Sequence, residues 1–167
     1  MRTKNLLRQL ANLTRIMKNV YAVPLEEAQY LALGYYYIFR KTDFNNLLLK
    51  EELHEIIRKE ELEKGKNIVE LFLEEFWEDV VADLNEEEQR LLHCLQEDKK
   101  RSTLEKLLKR YSSDNIYFVS ELLHSLETKG LVHVEQELWY TELNKHIYLL
   151  PLGRAVLRKL KGSHGAA

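Results

Sequence analysis

Apolar residues recur along most of the chain at intervals of three and four, the helical period, and only near residues 131–150 does the pattern shorten to that of strands. Leu6, Leu7, Leu10, Leu13, Ile16, Met17 and Val20 fall on one face of a first predicted helix, which Thr3 can cap. Lys4, Arg8, Arg15 and Lys18 fall opposite, within an arc of roughly 80°. Pro24 ends that segment and opens a second helix running to Arg40, with Glu26 and Glu27 at its positive end. Tyr30, Leu31, Leu33, Tyr35, Tyr36, Tyr37, Ile38 and Phe39 make this helix apolar or amphipathic nearly all round, which predicts a central place in a bundle or in a dimer interface.

A third, highly charged helix is expected from a cap at Thr42 or Asp43 to Lys64, where Gly65 breaks it. The helical period resumes through Ile68, Val69, Phe72, Leu73, Phe76, Trp77, Val80 and Val81. Asn85 with Glu88 then reads as a capping box, and the domain boundary is drawn there. Leu91, Leu92 and Leu95 mark a short helix ending near Asp98, followed by the basic loop Lys99-Lys100-Arg101. Ser102 with Glu105 predicts a further capping box opening a helix through Leu104, Leu107, Leu108 and Tyr111. A turn at Ser112–Asn115 leads to a helix carrying Val119, Leu122, Leu123 and Leu126 to a stop at Gly130, where a left-handed residue is expected. Leu131–Val134 and His146–Leu150 read as strands on either side of a polar-aromatic stretch, and Pro151 opens a last helix through Leu160. The fold class expected is mainly α with a small β-hairpin. An all-helical domain spans 1–84, a second domain spans 85–161, and 162–167 form a disordered tail.

Composition narrows the class without identifying it. In 167 residues, 45 % hydrophobic and 31 % charged with only 2 Pro and 6 Gly, the balance argues against a disordered chain, a sandwich or a barrel. Cys94 stands alone, so neither an internal disulfide nor a multi-cysteine zinc site can form. The longest uncharged stretch, Ala28 to Phe39, falls short of the ~20 residues that cross a bilayer, and the start Met1-Arg2-Thr3-Lys4 lacks a signal-peptide core. These features predict a cytoplasmic protein with no membrane partner. The net charge of −2 conceals three blocks: +5 over residues 1–42, −12 over 43–98 and +5 over 99–167. Such a division suggests different surroundings for the ends and the middle.

The order helix, helix, helix, strand, strand, helix in the second half resembles a winged-helix domain. The run Leu122-Leu123-His124-Ser125-Leu126-Glu127-Thr128-Lys129-Gly130-Leu131-Val132 is similar to the end of the recognition helix in MarR- and PadR-like regulators. Leu149-Leu150-Pro151-Leu152-Gly153-Arg154-Ala155-Val156-Leu157 resembles the family's exit from the wing, where a Thr-x-x-Gly-Arg pattern is common, with Leu150 in place of the Thr. The resemblance covers residues 85–161; residues 1–84 carry none. It implies binding to double-stranded DNA, with Tyr117, Ser120, Glu121, His124 and Thr128 turned to the major groove. Lys99, Lys100, Arg101, Lys106, Lys109 and Arg110 would grip phosphates around the second helix, and Lys145 would do so near the wing. The groove-facing set contains no Arg or Lys, and Glu121 would meet a negative groove. Glu135, Glu137 and Glu142 beside Trp139 and Tyr140 suit a protein contact at the wing as readily as a DNA one.

No chemistry of catalysis emerges. His54-Glu55-Ile56-Ile57-Arg58 begins like a zinc-protease motif but has Arg where the second ligand must stand. The histidines show no ligand spacing, the glycines form no phosphate loop or dinucleotide fingerprint, and there is no nucleophile elbow. Cys94 lies among the leucines of its helix and reads as core. No enzyme, cofactor or metal is therefore expected. The leading expectation is a DNA-binding transcription regulator, homodimeric through its N-terminal helices, whose tyrosines could line an effector pocket. The alternative is a protein-interaction subunit of a nucleoprotein or replication assembly, similar in organisation to the GINS subunits of replicative helicases.

Overall fold

The computed structural model describes residues 4–45, 47–95, 102–135, 143 and 145–165. They form α1 (Leu6–Tyr21), α2 (Leu25–Phe39), α3 (Lys50–Lys64), α4 (Ile68–Ala82), α5 (Glu86–Cys94), β1 (Ser102–Thr103), α6 (Leu104–Tyr111), α7 (Ile116–Thr128), β2 (Val132–Glu135), β3 (His146–Leu149) and α8 (Pro151–Gly165). The fold is mainly helical with one small antiparallel sheet, and the chain divides into two compact units, Met1–Asp83 and Leu84–Ala167.

In the first unit α2 is central, packed by α1, α3 and α4. Ala28, Leu31, Ala32, Leu33, Tyr35 and Tyr36 are buried along it, as an all-round apolar helix requires. Gly34 lets α3 approach closely, because a Cβ there would run into the Ile57 side chain. The apolar face of α1 supplies Leu6, Leu7, Leu10, Leu13 and Met17 to the same core. Asp83, beyond α4, accepts from the Leu7 backbone N–H at 3.1 Å and so satisfies one of the unpaired donors at the start of α1. Thr3, the expected cap of this helix, lies outside the described residues.

The third helix begins later than its charge pattern predicts. Neither Thr42 nor Asp43 caps it; α3 starts at Lys50, and Glu52 accepts from the Leu49 backbone N–H at 3.3 Å. The preceding segment is held out of helix by aromatic packing: Arg40 takes a left-handed turn, Phe44 packs edge-on to Tyr21 and Tyr35, and the Tyr35 hydroxyl donates to the Asp43 carbonyl. Gly65 closes α3 in the left-handed conformation, and Asn67 caps α4 by accepting from Glu70 N.

In the second unit Asn85 caps α5 and Glu88 returns the bond to the Asn85 N–H, the expected box. Helix α5 stops at Cys94 rather than near Asp98; residues 96–101 lie outside the described residues. Ser102 does not cap α6. It forms with Thr103 a short strand pairing with β3, and the cap is Thr103, accepting from Lys106 N. The sheet order is β1-β3-β2, with Val132 opposite Leu149 and Glu135 opposite His146. Leu104, Leu107, Val119, Leu123, Leu126, Ile147, Val156 and Leu157 form the core between helices and sheet. Gly130 is left-handed, turning α7 into β2 as expected. The expected disordered tail is in part helical: α8 continues to Gly165.

Candidate nucleic-acid interface

The outward side of α7 is set by its inward one. Val119, Leu122, Leu123 and Leu126 are committed to the core, so Tyr117, Glu121 and His124 face solvent, and Tyr117 is 84 % exposed. Asn115 caps the helix by accepting from Phe118 N at 3.1 Å, and the helix carries neither Lys nor Arg.

Three of the sequence-predicted residues converge. Ser120 and His124 of α7 and Lys145 beside β3 line one cleft of about 320 Å³, floored by Leu104, Leu123, Val134 and Ile147. Position is imposed through the backbone: the Lys145 carbonyl accepts from Leu104 N at 3.1 Å, fastening the start of β3 to the start of α6. The other cations divide. Lys106 and Lys109 are exposed on α6, Lys109 lying 4.0 Å from Glu105. Arg110 turns inward and donates to the Cys94 carbonyl at 3.3 Å, tying α6 to the end of α5. Thr128 is half-buried and donates back to the Ser125 carbonyl at 2.8 Å, a bond within its own helix. Lys99, Lys100 and Arg101, with Glu137, Trp139, Tyr140 and Glu142, lie outside the described residues.

Glu127 also lines this cleft and was not among the residues singled out from the sequence. The spacing Ser120, His124, Glu127 is i, i+4, i+7, one helix face, and was the available signal. Its carboxylate accepts from Val134 N at 2.8 Å and lies 3.4 Å from His133 Nδ1. Burial pushes its pKa up, but the bonds from His133 and Val134 and the charges of His133 and His124 outweigh this and hold it below the usual 4.5. The folded-state pKa is depressed, so the ionised carboxylate stabilises the unit above the unfolded value, and that contribution is lost as pH falls through the folded one. Acid titration followed by circular dichroism is expected to show less loss of stability below about pH 4.5 in Glu127→Gln than in the parent chain. Identical acid profiles would contradict this.

Elsewhere the chemistry is structural. Burial pushes the Cys94 thiol up against the pull of Arg90 and Arg110, the reverse of an activated nucleophile. His54 is half-buried 3.4 Å from Glu27, and no cluster of three metal-ligating side chains exists among the described residues. No helix among the described residues is long and apolar enough to cross a membrane. Compared with known protein families, curated proteins and solved structures, the chain matches none of them.

Proposed function

We propose that residues 85–161 are a winged-helix module that binds duplex DNA, and that the protein acts as a homodimeric transcription regulator, dimerising through residues 1–84. The observation that carries the reading is the exposed face of α7, free of the core, with Lys145 lining the same cleft as Ser120 and His124 and with the exposed Lys106 and Lys109 on α6 of the same unit. A helix so flanked can lie in the major groove while neighbouring cations hold phosphates. Tyr117, Ser120 and His124 supply the hydrogen-bonding groups toward base edges, and Glu121 opposes the approach of phosphate. The topology of α5, α6 and α7 sealed by β2, β3 and α8 supports the winged-helix reading.

A second reading has its own support. An α7 face without a cation, a protruding Tyr117 beside Glu121, and an Arg110 engaged by Cys94 suit a protein partner within a nucleoprotein assembly. Fluorescence anisotropy with a labelled duplex separates the two. Under the DNA reading, affinity falls steeply with added salt, and replacing Lys106, Lys109 and Lys145 by Ala flattens the log–log salt dependence by about 3 units. Undetectable or salt-insensitive retention favours the assembly reading.

A further inference from the structure

The outer face of α1 carries charge that the fold of its unit does not use. Arg8, Arg15 and Lys18 of α1, and Lys4, which precedes the helix across the left-handed Asn5, are all exposed, and none forms a salt bridge among the described residues. Among the described residues the Arg15 side chain donates a hydrogen bond to the Asn12 side chain. Helix α1 contains no acidic residue at all, so no i,i+4 pair offsets these cations. Lys4 and Arg8 also stand at the positive end of the helix, where cations oppose the macrodipole. Elsewhere in the unit Arg40 pairs with Glu75 and Lys66 with Glu74, and the exposed Arg58, Lys59 and Lys64 of α3 share their helix with glutamates, which α1 lacks. The stripe is thus no salt-laced helix surface, and only Lys18, in the last turn of α1, is placed favourably for the helix dipole.

We infer that this stripe is a second surface for the phosphate backbone of duplex DNA, carried by the Met1–Asp83 unit. Charge complementarity identifies the occupant as a polyanion. Arg8 and Lys18 stand about 15 Å apart along the axis at ~1.5 Å per residue, with Arg15 between them, a span covering several phosphates at about 3.4 Å of duplex axis each. Asn12 and Asn19, both exposed, flank the cations with hydrogen-bonding amides. An anionic bilayer fits less well. A helix lying on lipid must bury its apolar face there, and here Leu6, Leu7, Leu10, Leu13 and Met17 are already enclosed in the unit's core, which leaves only Ile16 and Val20 of the expected apolar face exposed. The inference does not depend on the reading of α7, which lies in the other unit.

The full chain with Lys4, Arg8, Arg15 and Lys18 replaced by Ala tests it, its fold checked by circular dichroism. Duplex affinity is expected to fall about tenfold or more at low salt, with a salt dependence shallower by about 3–4 units. Unchanged affinity and slope overturn the inference, as does an absence of duplex binding by the parent chain. Stripe-dependent capture of phosphatidylserine vesicles in preference to duplex overturns it in favour of lipid, and displacement by polyglutamate as effective as by unlabelled duplex overturns it in favour of an acidic protein. Comparison with the Lys106, Lys109 and Lys145 variant keeps the two surfaces apart. Loss only in the stripe variant sustains this inference and removes the α7 reading; loss only in the other does the opposite.

Discussion

Glu88→Ala is expected to destabilise the Leu84–Ala167 unit by about 3–5 kcal/mol, the typical cost of removing one partner of a buried ion pair. Glu88 is 1 % exposed and the Lys129 side chain 11 %, with Nζ 2.7 Å from Oε2. The carboxylate also accepts from the Ser125 hydroxyl at 2.8 Å and from Asn85 N at 3.1 Å. One side chain therefore closes the cap of α5 and joins it to the end of α7. Its removal takes from the Lys129 ammonium its buried carboxylate, while the loss of the cap alone costs ~1 kcal/mol. Hydrogen exchange of the α5 and α7 amides reads the local effect, and urea unfolding the global one. Replacing both residues together, Glu88→Leu with Lys129→Met, is expected to cost less than the single change, because both charges of the buried pair are then removed. Equal or greater loss in the double variant would contradict the pair's role.

Gly153→Ala is expected to cost about 2–4 kcal/mol, combining overpacking with a strained backbone hydrogen bond. A Cβ at this position would lie 2.9 Å from the Leu131 carbonyl carbon and closer still to its oxygen. That oxygen accepts from Leu150 N at 3.0 Å, so the carbonyl cannot swing away without breaking the link between the start of β2 and the end of β3. Gly162, on the same helix, has nothing within 4 Å of its would-be Cβ. Gly162→Ala is accordingly expected to gain about 0.5–1 kcal/mol from better helix propensity. Thermal unfolding of the two variants should move in opposite directions; a shared sign would remove the close approach at Leu131 as the cause.

What could be read before the structure was what short-range physics determines. The leucine period of α1, the all-round apolar character of α2, the Asn85 box and the left-handed Gly130 each depend on a few neighbouring residues, and each is found. Features set by distant partners were missed. Strand β1 has two residues and exists because β3, more than forty positions later, pairs with it, so Ser102 read only as the cap of the helix that follows. Residues 40–45 are kept out of helix by Phe44 packing on Tyr21 and Tyr35, a contact with no local signature. In the candidate interface, the solvent-facing positions Tyr117, Glu121 and His124 followed from helix geometry, whereas the inward turn of Arg110 required the Cys94 carbonyl, and Glu127 required the hairpin backbone. Glu88 was legible as a cap, but its bond to Lys129 spans 41 residues and was not.

Amide shift mapping of the isotopically labelled full chain during titration with a short duplex addresses the central claim most directly, since it reads which residues meet the DNA. The account predicts salt-sensitive shifts concentrated at Tyr117, Ser120, Glu121 and His124, together with Lys106, Lys109 and Lys145, while α5 and α8 amides stay in place. Saturating duplex that leaves the α7 amides unmoved at low salt would contradict it.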